Sequence, residues 1–140
     1  MKTLRSIIFA LSLLLVVSAA HAQSGRVSAR IPFDFIVSNH LYPAGDYMLT
    51  PDGMSNPGVI IWNTDDQKAG LVLTTSCEKS ARAEKTVLVF QRHGDQYFLD
   101  RVWIEGNTRG RQFPKGKIET QLARNHQDGE EVIVAGLVTR

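Results

Sequence analysis

The stretch Thr86-Val87-Leu88-Val89-Phe90-Gln91-Arg92-His93-Gly94-Asp95-Gln96-Tyr97-Phe98-Leu99-Asp100-Arg101-Val102-Trp103-Ile104 sets the architecture of this chain. Two runs rich in β-branched and aromatic residues flank a break that contains Gly94, the pattern of a β-hairpin. A two-residue loop at His93-Gly94 sets Phe90 opposite Tyr97, Val89 opposite Phe98 and Leu88 opposite Leu99. A loop at Gly94-Asp95 sets Leu88 against Arg101 and Val89 against Asp100, which wastes the apolar matches. The first register is therefore expected, with a three-residue loop as the next choice; histidine tolerates the positive φ that it requires. Tyr97, Leu99 and Trp103 alternate with Phe98, Val102 and Ile104, so neither face of the second strand is polar. A hairpin apolar on both faces needs cover on both. Only the tip, with Arg92, His93 and Asp95, is left as a surface candidate for function.

Upstream, residues 1–22 have the organisation of a secretory signal peptide. Lys2 and Arg5 form a positive start, residues 7–17 are apolar apart from Ser12, and Ala20-His21-Ala22 supplies small residues for cleavage before Gln23. The apolar run is shorter than the roughly 20 residues of a membrane span, so export to the periplasm or beyond is expected, with no stable anchor after processing. The alternative is an uncleaved N-terminal anchor, which the intact mass of exported protein would reveal. Lys2 and Arg5 are two of the 16 basic residues, so the rest of the chain carries 14 against 14 acidic ones. A neutral domain argues against a nucleic-acid partner, which needs excess Lys and Arg to neutralise phosphate. Arg101, Arg109, Arg111, Lys115 and Lys117, with Glu105 among them, read as a solvated basic stretch.

Residues 23–140 suit a single domain, and Cys77 as the only cysteine excludes an internal disulfide. Val27, Ala29, Ile31, Phe33, Phe35 and Val37 fall at alternate positions, a half-buried strand that Pro32 places at an edge or breaks by a bend. Ser38-Asn39-His40 is a turn, and the chain re-enters a strand through Tyr47. Residues 51–58 are dense in breakers and form a loop. Val59-Ile60-Ile61-Trp62 reads as a strand covered on both faces, returned by residues 70–75 after a polar turn. Residues 78–85 lack an apolar face and read as an exposed connection. Residues 114–124 carry the one plausible helix, with Pro114 in its first turn and Ile118 and Leu122 as its apolar stripe. It is the natural lid for the hairpin's second face. A final buried strand spans residues 132–138. The expected fold is therefore mainly all-β: a single small antiparallel β-barrel or sandwich of about seven or eight short strands with one short helix.

Ile31-Pro32-Phe33-Asp34-Phe35-Ile36-Val37, Leu41-Tyr42-Pro43-Ala44-Gly45-Asp46-Tyr47, Val89-Phe90-Gln91-Arg92-His93-Gly94-Asp95-Gln96-Tyr97-Phe98-Leu99 and Ile133-Val134-Ala135 form four blocks. Together they resemble a family of small secreted acidobacterial proteins of unknown function. Ser38 stands where that family's pattern has Gly. The resemblance implies export and β architecture, and it supplies neither an activity nor a site.

Chemistry is sparsely signalled. His40, His93 and His126 fall in turns at no metal-ligand spacing, so no metal and no cofactor are expected. Asp65-Asp66 and Glu130-Glu131 are sequence neighbours in turns and point apart, which disfavours an acid–base pair. Cys77 ends a strand, distant in sequence from any histidine, and reads as a partly buried structural thiol. Phe33, Phe35, Trp62, Phe90, Phe98 and Trp103 either fill a core or line a lipocalin-like cavity. Two functional classes follow. The first is an exported non-catalytic binding or interaction domain, taking a small apolar ligand or an envelope protein at a barrel mouth or an edge near residues 31–37. The second is an extracytoplasmic enzyme acting on envelope or polymeric material, in which His93 or His126 would meet a carboxylate in space.

Overall fold

The computed structural model describes residues 25–51, 57–125 and 129–139. The expected signal segment and its cleavage residues Ala20, Ala22 and Gln23 lie outside the described residues, as does His126. The described chain is mainly β, with twelve strands in two sheets and one helix, and it closes no barrel. In order the elements are β1 (Arg26–Ile31), β2 (Phe35–Val37), β3 (His40–Tyr42), β4 (Gly45–Pro51), β5 (Gly58–Asn63), β6 (Lys68–Leu73), β7 (Thr75–Glu78), β8 (Val87–His93), β9 (Gln96–Trp103), β10 (Arg109–Gln112), α1 (Lys117–Asn125), β11 (Glu130–Ala135) and β12 (Leu137–Thr139).

The first sheet runs β12-β1-β4-β5-β6, every pair antiparallel. The second runs β11-β8-β9-β10-β7. The free flank of β9 is shared: β10 takes its C-terminal half, and β2 pairs in parallel with its N-terminal half at Tyr97 and Phe98. More strands form than the sequence suggests because three of them break and change sheet. Pro32 cannot continue the β1 ladder, and the chain leaves for β2 in the opposite sheet. Thr74 separates β6 from β7, its backbone N–H and its hydroxyl both donating to the Pro57 carbonyl at 2.7 Å. Gly136 separates β11 from β12, and a side chain there would press on Val27, Leu88 and Thr86. Such corners hold two packed sheets together.

Period two decides what lies between the sheets. Val27, Ala29, Ile31, Tyr47, Leu49, Val59, Ile61 and Val72 from the first sheet meet Phe35, Val37, Leu88, Phe90, Leu99 and Val102 from the second in one buried cluster. The aromatic rings of this cluster interlock. Phe35 lies edge-on to Tyr47 and Phe90, with centroids 5.0 and 5.5 Å apart, and Phe33 stacks on Tyr97 at 3.8 Å. Three of the expected core aromatics lie elsewhere, and Phe98 is one of them, buried on the outward side of the second sheet opposite Ile36. Trp103 sits on the outward face of the second sheet, in a small cluster with Ala83 and Val89. Trp62 faces outward from the first sheet and is exposed.

The hairpin takes the register that the apolar matches argued against. His93 pairs with Gln96, so Gly94 and Asp95 form the loop. Gly94 adopts a φ of 62°, which a turn with glycine in its first central position demands. Phe90 opposes Leu99, but Val89 opposes Arg101, so Asp100 is an extra residue on β9. This bulge restores the apolar matching further along, setting Leu88 against Val102 and Val87 against Trp103. The backbone carbonyl of Asp100 is satisfied by the Phe113 N–H at 2.8 Å.

Candidate functional site

The bulge places Asp100 on the outward face of the second sheet, where it is buried. Its Oδ2 accepts from Arg101 Nε at 2.9 Å and from Gln91 Nε2 at 3.4 Å. Arg101 also donates through Nη2 to Glu131 Oε2 at 3.1 Å. A polar group is thereby built across three strands, β8, β9 and β11. Helix α1 packs on this face against β8.

The phase of the helix is the unexpected part. An apolar stripe of Ile118 and Leu122 would point Ile118 at the sheet, yet Ile118 is exposed and Glu119 is buried at 4% exposure. Glu119 Oε1 has no hydrogen-bond partner among the described residues. Burial pushes the Glu119 carboxyl above the usual carboxylate range; Lys115 opposes that shift, and the Asp100 carboxylate adds to it. A buried carboxyl beside an ion-paired carboxylate is the arrangement that acid–base chemistry uses. Here α1 covers the pair, so a substrate would reach it only after the helix moved.

The hairpin-tip candidates separate. Asp95 is exposed in the loop. Arg92 is half-buried: its Nε donates to the Gly94 carbonyl at 2.9 Å, and its guanidinium lies near Glu130 and over the Tyr97 ring. His93 is no surface residue. It ends β8, is buried, lies 5.7 Å from the Phe98 ring and has no partner for Nδ1 among the described residues. Gly129, just before β11, sits directly against its ring. His40 is exposed on β3, its Nδ1 near the Ser38 carbonyl at 3.2 Å. Among the described residues neither histidine meets a carboxylate, and no group of three or more His, Cys, Asp or Glu could hold a metal ion. Cys77 packs beside Trp103 and Val89, and burial pushes its thiol up, which disfavours the thiolate a nucleophile needs. The basic stretch is partly neutralised, Arg101 by Asp100 and Glu131 and Arg109 by Glu78 at 2.9 Å.

A second surface stands out on the opposite side. The outward face of the first sheet carries Met48 beside Trp62, then Ile60 beside Leu71 on the next rung. Leu73 and Leu137 extend it, and Leu71, Leu73 and Leu137 are 69%, 66% and 74% exposed. Together with Ile60 and Trp62 they offer on the order of 500 Å² of apolar surface, within the range of the largest patches on soluble monomers, which are often functional. The Arg30–Asp46 pair on the same face is closed on itself, at 2.8 and 3.0 Å. β6 borders the face as an edge strand without proline, with Lys68 as its only charge. The expectation that β5 is covered on both faces fails here, because no described element lies over Ile60 and Trp62.

Compared with known proteins, the chain matches no protein-family model, no curated protein and no solved structure. Function therefore has to be argued from these two surfaces.

Proposed function

We propose that this chain is an exported, non-catalytic interaction domain that engages another protein through the outward face of its first sheet. The row Trp62, Ile60, Leu71 and Leu73 carries this reading, since isolated exposed apolar residues are ordinary but a contiguous row across neighbouring strands is not. The face is a flat sheet surface, which suits a protein partner better than a small apolar ligand, because small ligands bind in concave sites. The Arg30–Asp46 ion pair on this face is internally neutralised, which leaves the Ile60, Trp62, Leu71 and Leu73 row as its apolar centre. The β6 edge strand adds backbone donors and acceptors that such a partner can pair with. Export follows from the organisation of residues 1–22 and makes an envelope protein the class of partner. The enzymatic alternative has the covered Glu119 and Asp100 carboxyls but no histidine beside them among the described residues.

The test is site-specific photo-crosslinking in cells that export the protein. A photoreactive side chain at Leu71 should give a discrete heteromeric adduct, and one at Asp95 should give none. Absence of an adduct at Leu71, equal labelling from both positions, or an adduct consisting only of a second copy would each overturn the proposal.

A further inference from the structure

We propose that α1 is a proton-operated latch on the second sheet, docked while Glu119 is neutral and released when Glu119 ionises. The geometry supplies both halves of such a device. A glutamate occupies the inward helical position that an isoleucine one residue earlier could have filled. With Oε1 unpartnered, that position tolerates the neutral carboxyl far better than the anion. Of the charged groups around it, the Asp100 carboxylate reinforces this and Lys115 opposes it. β9 contributes the Asp100 carboxylate, already engaged by Arg101; β11 contributes Glu131 through Arg101; β8 contributes His93 further along the same face; β7 contributes Cys77 near the Asp100–Arg101 pair; and Lys115 before the helix is the one free cation among them. Lys115 is exposed, so it offsets the repulsion from Asp100 only in part.

The helix can also leave without opening the fold. Neither core cluster contains a residue of α1. Its entry is held by a long contact, the Ile118 N–H on Asn39 Oδ1 at 3.4 Å. Phe98 and Ile36 pair on the sheet's outward side, belong to neither cluster, and are nevertheless buried. The sign of the pH effect follows from the raised affinity of docked Glu119 for its proton. Docking is strongest below the ordinary glutamate value, weakens by up to about tenfold per pH unit between that value and the raised docked-state value, and levels off above it.

Hydrogen–deuterium exchange from about pH 4 to about pH 8, across the glutamate range and beyond it, corrected for intrinsic exchange, tests the latch. In the wild type, peptides covering residues 117–125 should lose protection as pH rises while those from β8 and β9 keep theirs. In Glu119→Gln, which keeps the neutral shape, residues 117–125 should stay protected throughout. Wild-type protection that does not change with pH overturns the proposal whatever the variant does. An unchanged pH dependence in Glu119→Gln overturns it equally.

Discussion

Tyr47 shows how much a single side chain carries. Its ring is buried against Phe35, while its hydroxyl donates to the Pro43 carbonyl and accepts from Asn63 Nδ2 at 3.1 Å. Asn63 in turn accepts the Asp65 and Asp66 backbone N–H groups through Oδ1, at 2.9 and 3.2 Å, and so ties the β5–β6 turn to the core. Tyr47→Phe keeps the packing and leaves a buried amide donor and a carbonyl unpaired. Urea unfolding should show a loss of about 1–2 kcal/mol, and an unchanged midpoint would mean that water replaces the hydroxyl. The sequence marks Tyr47 as a strand residue but gives no sign of this relay, because its partners are Pro43, before β4, and Asn63, at the end of β5. Glu119 is the same lesson at the other surface. Helical periodicity points to Ile118 and Leu122, and only the position of the sheet decides which side of the helix is down.

At the scale of the element, the hairpin was legible in kind and illegible in register. Alternation and Gly94 announce two strands and a turn, but straight pairing gives no account of the extra residue at Asp100. A bulge costs little where its side chain and its carbonyl both find partners, and Gln91, Arg101 and Phe113 supply them from outside the local sequence. Two glycines should respond differently to alanine. Gly94 faces open space, so Gly94→Ala pays only for the left-handed backbone, about 1 kcal/mol. Gly110 lies under Trp103, where a new Cβ would come within 2.7 Å of both the indole and the Val102 carbonyl. Gly110→Ala should therefore cost more than Gly94→Ala, by roughly 1–3 kcal/mol of overpacking. Thermal unfolding of both variants checks the order, and equal losses would show that the β9–β10 pair yields easily.

For the whole molecule, the sandwich buries one face of each sheet and treats the other two differently. The second sheet carries α1 and the loop before β8, where Ala83 covers Trp103 and Lys79 lies 4.2 Å over its ring. The first sheet has no such cover over Ile60, Trp62, Leu71 and Leu73 among the described residues. Leu71→Lys combined with Leu73→Lys should leave monomer stability within about 0.5 kcal/mol, since both side chains point to solvent. Crosslinking to a partner from a photoreactive side chain at Trp62 should nevertheless be lost. A large drop in melting temperature in the isolated variant would show instead that these leucines serve the fold.

What the sequence determines by itself is the β class, the hairpin, the place of the helix and the absence of an internal disulfide. Each of these depends on local alternation, turn residues or composition. Only the tertiary structure decides that the chain changes sheet at Pro32, where the sequence allowed a bend, and at Thr74 and Gly136, that Asp100 is bulged, that Glu119 rather than Ile118 enters beneath α1, and that no described residue covers one face of the β5 run. The physical reason is common to all four. A run of apolar residues states how much surface could be buried, but which face is covered depends on elements distant in sequence, and nothing in the run itself encodes their arrival.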